Sequence, residues 1–154
     1  MTWFTGQSLY LRIAIFHFTA MTDEIQILLI EDDQDDVDLF QYALRTNAVA
    51  CELCVIMQGD KIAPYLAESP ERPDIIVMDL NLPLVHGREV LKQIKATDRF
   101  RHVPVLVLTT SSAKEDRDFC YEMGANEFIT KPTTLAGFNT LMSAIVNLTG
   151  TSSR

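Results

Sequence analysis

The sequence predicts an α/β fold: a doubly wound, five-stranded parallel sheet with helices on both faces. Two observations support this. Short apolar segments alternate along the chain with longer segments whose apolar residues recur at helical spacing. Most of the short segments are nearly continuous apolar runs rather than apolar at every second position, which is typical of parallel strands buried on both faces. Right-handed crossovers between such strands place helices on both sides of the sheet.

Five segments are predicted as strands because each is a short apolar run. In chain order they are IQILLI, CELCVIM, DIIVMDL, VPVLVLT and EFIT, which begin at residues 25, 51, 74, 103 and 127. Five amphipathic segments between and after them are predicted as helices. The first begins after residue 33, and the other four are GDKIAPYLAES, GREVLKQIKA, AKEDRDFCYEMGA and TLAGFNTLMSAIVNL.

Length and charge limit the function. A chain of 154 residues fits one domain, and its net charge of −8 argues against nucleic acid as a direct partner. No segment is predicted to span a membrane. Cys51 and Cys54 form CELC, which could be a redox or metal pair, but residues three apart on a strand face opposite sides and no second pair completes a zinc site. We therefore expect the three cysteines to be reduced, small apolar residues of a cytoplasmic protein.

The domain is predicted to span residues 25–148, with a short tail at 149–154. Residues 1–24, which include the apolar run LYLRIAIFHF, are expected to be an extension outside the core fold. The alternative is an added helix or strand that buries its apolar face in a dimer.

Chemically distinctive residues follow four of the predicted strands. Glu31 and Asp32 follow the first, Asp79 the third, and Lys131 the fifth, while Thr109 ends the fourth. Parallel strands bring their carboxyl ends to one edge, where ligands bind. Three crowded carboxylates need a cation, and Mg²⁺ prefers oxygen ligands. Strand-end acids are also often merely exposed, and we expect this of the acids that follow in the next helix, Asp35, Asp36 and Asp38.

The motifs LLIEDD, IIVMDLNLP…G, VLVLTT and TKP resemble, in this order and spacing, the receiver domain of bacterial two-component response regulators. The resemblance covers roughly residues 25–148. It implies a flavodoxin-like sheet of order 2-1-3-4-5. It also implies that Asp79 accepts a phosphoryl group from a partner histidine kinase.

The resemblance also implies roles for the surrounding residues. Asp32 would bind Mg²⁺ directly, Glu31 mainly through water, and Asn81 through its backbone carbonyl. Lys131 would contact the phosphoryl group, and its bond to Pro132 is often cis in the family. Thr109 and Phe128 would form a switch pair that alters the face of the fourth helix, last strand and last helix.

Because only TGTSSR follows the last helix, a single-domain regulator is expected, acting as a signalling protein rather than an enzyme. A narrower likeness, in RFRHVPVLVLTTSS and the segment up to Lys131-Pro132, is to the often homodimeric regulators of phytochrome-type kinases. Three positions depart from the common pattern. Thr110 is larger than the usual residue, Ser111 offers only a short hydroxyl, and Phe128 lacks a tyrosine hydroxyl.

Other functions stay open at this point. A phosphorelay intermediate, or a regulator of a non-phytochrome kinase, would carry the same motifs. A Mg²⁺-dependent phosphatase also uses a strand-end Asp, but it usually has a second acid where this chain has Asn81. A flavodoxin would have a phosphate loop in place of EDDQDD, and an inert interaction module would not need the complete set of site residues.

Overall fold

A computed structural model of the chain describes residues 24–150 and, as backbone only, residues 11–14. The strands are β1 Leu11–Ala14, β2 Ile25–Ile30, β3 Cys51–Ile56, β4 Ile75–Met78, β5 Val105–Thr109 and β6 Glu127–Thr130. The helices are α1 Gln34–Thr46, α2 Ile62–Glu68, α3 Gly87–Ala96, α4 Lys114–Glu122 and α5 Leu135–Gly150. A short 3-10 turn, Gly59–Lys61, leads into α2.

The strands form one sheet in the order β1-β3-β2-β4-β5-β6. From β3 to β6 every neighbouring pair is parallel. These five strands have the predicted order 2-1-3-4-5, so the flavodoxin-like fold is confirmed.

The sheet has a sixth strand that the sequence analysis did not place in it. β1 pairs with β3 in antiparallel register, with Leu11 opposite Val55 and Ala14 opposite Glu52. Residues 11–14 therefore belong to the sheet, not to an extension outside the fold. The physical reason is that β3 would otherwise present a row of unpaired backbone groups at the sheet edge.

The remaining domain boundaries stay predictions. Residues 1–10 and 15–23, and with them the rest of the predicted extension, lie outside the described residues, as do 151–154. At the other end α5 continues to Gly150, two residues past the predicted boundary at 148.

Two apolar layers hold the sheet between the helices. Ile27 and Leu29 of β2 pack with residues of α1 and α5, whereas Leu28 and Ile30 pack with residues of α2, α3 and α4. All four side chains are buried. Full burial of such a side chain contributes roughly 1.5–3 kcal/mol. Burial on both faces explains why residues 27–30 are all apolar, directly before the acids that follow β2.

Among residues 11–14 and 24–150, no helix is long and apolar enough to cross a membrane. The cysteines Cys51, Cys54 and Cys120 are buried thiols that form no disulfide with one another. Burial, aided by the charge of Glu24, raises the pKa of the Cys51 thiol to about 12. Burial also raises the pKa of Cys120, to about 11. Both groups are therefore unreactive apolar filling at neutral pH.

Candidate functional site

The carboxyl ends of four parallel strands form a single pocket. β2 is followed by Glu31 and Asp32, β4 by Asp79 and β6 by Lys131, while β5 ends in Thr109. The backbone joins these ends directly, since the Asp79 N–H donates to Ile30 O and the Lys131 N–H donates to Thr109 O. Residues up to 100 positions apart in the chain thus meet at the predicted edge of the sheet.

Lys131 lies at the centre of the acidic part of this pocket. Its ammonium nitrogen is 2.8 Å from Glu31 Oε2, 2.8 Å from Asp79 Oδ2 and 2.6 Å from Asp36 Oδ2. Burial alone would lower the pKa of Lys131, but hydrogen bonds to Asp36, Asp79 and Glu31 outweigh it and hold that pKa well above its ordinary value. The side chain is therefore a fixed positive charge at any physiological pH.

Glu31, Asp32 and Asp79 can hold a cation together. One carboxylate oxygen from each lies within 4.8 Å of the others, and Glu31 and Asp79 are buried while Asp32 is partly exposed. Burial raises the pKa of Glu31, against hydrogen bonds from Lys131 and the Asp33 N–H that lower it. Carboxylate oxygens are the hard ligands that Mg²⁺ prefers, and the partly exposed Asp32 leaves one side of the group open to solvent. The donor chemistry of these residues therefore fits a divalent cation.

Asp33, the third acid after β2, has a structural role. Its Oδ1 accepts hydrogen bonds from the backbone N–H groups of Asp35 at 2.8 Å and Asp36 at 3.3 Å. Asp33 is thus the N-cap of α1, which satisfies donors that the first turn of a helix leaves unpaired. This cap fixes where α1 begins, directly beside the acidic pocket.

Asp36 is only partly exposed, whereas the sequence analysis expected it to face solvent. Its carboxylate contacts Lys131, and its side chain is only 36% exposed. Helical side chains lean towards the N-terminus of their helix, so a residue in the first turn of α1 reaches back over the end of β2. Asp35 and Asp38 are exposed, as expected.

Neutral polar groups line the other side of Asp79. The Asn81 N–H donates to Asp79 Oδ1 at 3.0 Å, and the Asn81 side-chain amide donates to Thr109 Oγ1 at 3.3 Å and Thr110 Oγ1 at 3.0 Å. Thr109 is fully buried and also accepts from the Ser111 N–H at 3.2 Å. This hydroxyl therefore links the loop after β4 to the loop after β5.

A second polar network, which the sequence analysis missed, extends from Ser111. Ser111 Oγ donates to Asp116 Oδ2 at 2.5 Å, and Arg88 donates to Asp116 Oδ1 from Nε at 3.0 Å and from Nη2 at 2.5 Å. The Ser111 hydrogen bond, followed by Arg88, lowers the pKa of Asp116. The Arg88 guanidinium also lies 4.7 Å from the centre of the Phe119 ring. The β5–α4 loop is thereby tied to α3 as well as α4.

The expected switch residue Phe128 is buried in β6, the strand next to the one that ends in Thr109. In the β5–β6 register Thr109 faces Thr130 and Val107 faces Phe128. The Phe128 N–H donates to the Tyr121 hydroxyl at 3.1 Å, and the Arg117 guanidinium lies 5.0 Å from the ring centre. The ring is thus turned inward and covered by α4.

The loop after Asp79 folds back tightly on itself. The Gly87 N–H donates to Leu80 O at 3.2 Å. A Cβ at position 87 would lie 2.4 Å from Leu80 Cα, which no other residue type tolerates. His86 is exposed at the start of α3. The Lys131–Pro132 bond is trans, in contrast to the cis form that the resemblance implies is frequent.

The family model for the response regulator receiver domain matches residues 27–145. The chain belongs to this family. Its receiver domain contains every strand-end residue described above.

Individual relatives agree with this assignment. The chain is 39% identical to the response regulator Rcp1 of a Synechocystis species over 114 residues, which is 71% of this chain and 78% of that protein. The structure of phosphorylated RcpA, a cyanobacterial phytochrome response regulator, matches with a TM-score of 0.75 and 32% identity, over 86% of this chain and 98% of the other. The Mn²⁺-bound form of Rcp1 matches with a TM-score of 0.72 and 33% identity, over 84% and 97%. This receiver domain therefore resembles regulators that have been crystallised phosphorylated and metal-bound.

Proposed function

We propose that this receiver domain accepts a phosphoryl group on Asp79 from a sensor histidine kinase, in a reaction that requires Mg²⁺. The observation that supports this most directly is the surroundings of Asp79. Its carboxylate lies between the Lys131 ammonium and the Asn81 N–H, within reach of two further carboxylates. An exposed acid without a role would not be placed among these partners.

Glu31, Asp32 and Asp79, with the backbone carbonyl of Asn81, would hold Mg²⁺. The bound ion would supply positive charge that draws a phosphoryl donor towards a pocket otherwise dominated by carboxylates. The chain's own contribution is to fix those oxygens on rigid strand ends, so that little reorganisation is needed.

In the proposed step an Asp79 carboxylate oxygen attacks the phosphorus of the kinase's phosphohistidine. The new O–P bond forms as the N–P bond breaks, and the electron pair of that bond returns to the imidazole nitrogen. Lys131 and the Thr109 hydroxyl would then contact oxygens of the attached phosphoryl group. Lys131 already contacts Asp79 directly, and Thr109 is linked to it through Asn81.

The same step would act as a switch. Thr109 moving towards the phosphoryl group would release its hydrogen bonds to Asn81 and the Ser111 N–H. The resulting change would spread through the β5–α4 loop and Phe128 to the α4-β6-α5 face, which a partner or a second copy of the chain would contact. This is a two-state element biased by one local charge.

The likeness to Rcp1 and RcpA supports a place in a phytochrome-type light-signalling pathway, with a bacteriophytochrome as the kinase. We propose that the domain works in the cytoplasm as a homodimeric, non-enzymatic signalling protein without direct contact with nucleic acid. Phosphorelay transfer, or service to a non-phytochrome kinase, is the alternative. A phosphotransfer screen that includes a light-dependent kinase distinguishes them.

The proposal is tested with a small phosphodonor and Mg²⁺. The wild-type protein should become labelled, and Asp79→Asn should abolish the label because no nucleophilic carboxylate remains. Asp98→Asn, an exposed acid outside the pocket, is the matched control and should label normally. Label at the wild-type level on Asp79→Asn would move the acceptor elsewhere, and sustained hydrolysis of a phosphate ester would indicate a phosphatase instead.

A further inference from the structure

Asp36 is a fourth carboxylate at the site, outside the motif residues that carry the family resemblance. Its Oδ2 atom is 2.6 Å from the Lys131 nitrogen, slightly closer than the 2.8 Å contacts from Glu31 and Asp79. It comes from α1 rather than from a strand end. The contact therefore joins the first helix to the centre of the pocket.

The local structure holds Asp36 in this position. The Asp33 cap accepts the Asp36 N–H and sets the first turn of α1. From this turn the Asp36 side chain is directed back over the end of β2, where it meets Lys131. Neighbouring Asp35 lies in the same turn but is exposed. Two acids of one turn thus have different surroundings, which provides a natural control.

The hydrogen-bonding capacity of Lys131 is already filled. An ammonium group has three N–H donors, and three carboxylates lie within hydrogen-bonding distance of it. A phosphoryl group attached to Asp79 offers new acceptor oxygens beside the same nitrogen. For Lys131 to contact them, one existing contact must be given up.

Asp36 is the partner that Lys131 can release at least cost. The Glu31 and Asp79 side chains are only 4% and 5% exposed, whereas that of Asp36 is 36% exposed, so water can solvate the freed carboxylate. A cavity of about 30 Å³ also adjoins Asp36 and Lys131, between Leu39 and Phe138. A space of this size holds one water molecule.

We propose that Asp36 is a positioning residue that holds the Lys131 ammonium in the unphosphorylated domain and releases it when Asp79 is phosphorylated. This inference rests on the proposed function of Asp79. Asp36 competes with the phosphoryl group for Lys131 and adds negative charge beside an anionic donor. Asp36 also keeps the Lys131 ammonium from moving closer to Glu31 and Asp79, where its positive charge would repel a bound cation.

The proposal is tested by comparing Asp36→Asn with Asp35→Asn. Each variant removes one negative charge from the same helical turn, so any effect on the helix dipole is shared. At saturating Mg²⁺ and with a small phosphodonor, Asp36→Asn should label roughly three- to tenfold faster than wild type, the range expected for losing one partly exposed charge contact. The Mg²⁺ concentration for half-maximal labelling should rise about threefold. Asp35→Asn should stay within about twofold of wild type in both measurements.

In Asp36→Asn the faster rate at saturating Mg²⁺ favours labelling, whereas the higher Mg²⁺ requirement opposes it. Loss of structure alone would not produce this combination. Asp36→Glu keeps the charge, and its rate should return towards that of wild type. The inference is overturned if Asp36→Asn matches Asp35→Asn, if it labels more slowly at saturating Mg²⁺, or if Asp36→Glu labels as fast as Asp36→Asn. In those cases label still appears on the wild type and not on Asp79→Asn, so the proposed function stands; an unlabelled wild type would overturn both.

Discussion

The two sides of the pocket around Asp79 are built from different chemistry. On one side is the charged wall, which contains four carboxylates and one ammonium group: Glu31, Asp32, Asp36, Asp79 and Lys131. On the other is the hydroxyl wall, which is neutral: Asn81, Thr109, Thr110 and Ser111. Asp79 belongs to the charged wall and is tied to the hydroxyl wall through the Asn81 N–H.

The difference assigns separate tasks to the two walls. Charged groups at short range interact by several kcal/mol at an effective dielectric near 20, so the charged wall controls which ions enter. A neutral hydrogen bond contributes roughly 0.5–1.5 kcal/mol, small enough to be exchanged when a new acceptor arrives. The charged wall is therefore suited to binding and chemistry, and the hydroxyl wall to reporting whether Asp79 is modified.

Replacing Lys131 should have the largest effect. Lys131→Met leaves Glu31 and Asp79 buried without their counter-charge, so labelling should fall about 100-fold. Without Mg²⁺ the free energy of unfolding, measured in urea, should fall by about 3 kcal/mol at neutral pH. Lys114→Met, which removes an equally charged but exposed side chain, should change neither quantity noticeably. If the two variants behaved alike, the charged wall would not control the chemistry.

Removing the Thr109 hydroxyl should have an intermediate effect. Thr109→Val keeps the volume but removes the acceptor of the Ser111 N–H and one of the two acceptors of the Asn81 amide, so labelling should fall about three- to tenfold. Thr110→Val removes the exposed neighbouring hydroxyl that the same amide contacts, and it should stay within about 0.5 kcal/mol of wild type in unfolding. If labelling of Thr109→Val fell as far as that of Lys131→Met, the two walls would not differ in their importance for phosphorylation.

The smallest effect should come from Asp116, beyond the hydroxyl wall. Its pKa is lowered in the folded protein by Ser111 and Arg88, so it stabilises the fold above the ordinary pKa of 3.8 and loses this contribution as pH falls through its folded-state pKa. Asp116→Asn should cost about 0.5–1 kcal/mol at pH 7 in urea unfolding, and its difference from wild type should shrink below pH 3.8. Asp118→Asn, on the exposed side of α4, is the control. A difference that grew in acid would contradict the assigned network.

The sequence was sufficient to predict the contacts that depend only on strand topology. Glu31, Asp79, Thr109 and Lys131 meet because each ends or follows a parallel strand, and apolar runs reveal such strands directly. Asp36 was misjudged because its contact depends on where α1 begins and how the side chain leans. The Arg88–Asp116 contact was missed because it joins α3 to α4, and helix crossing geometry leaves no local pattern in the sequence.

The pairing of β1 with β3 was missed for a similar reason, since an apolar run does not say which strand it will join. The pairing with β1 also changes the position of β3 in the sheet from an edge strand to an interior strand. In a sheet of five strands β3 would be an outermost member, with half of its amide hydrogens open to exchange with solvent. With β1 antiparallel on one side and β2 parallel on the other, β3 is an interior strand. The border of the sheet moves to β1, so that an added chain would meet β1 rather than the buried strand β3.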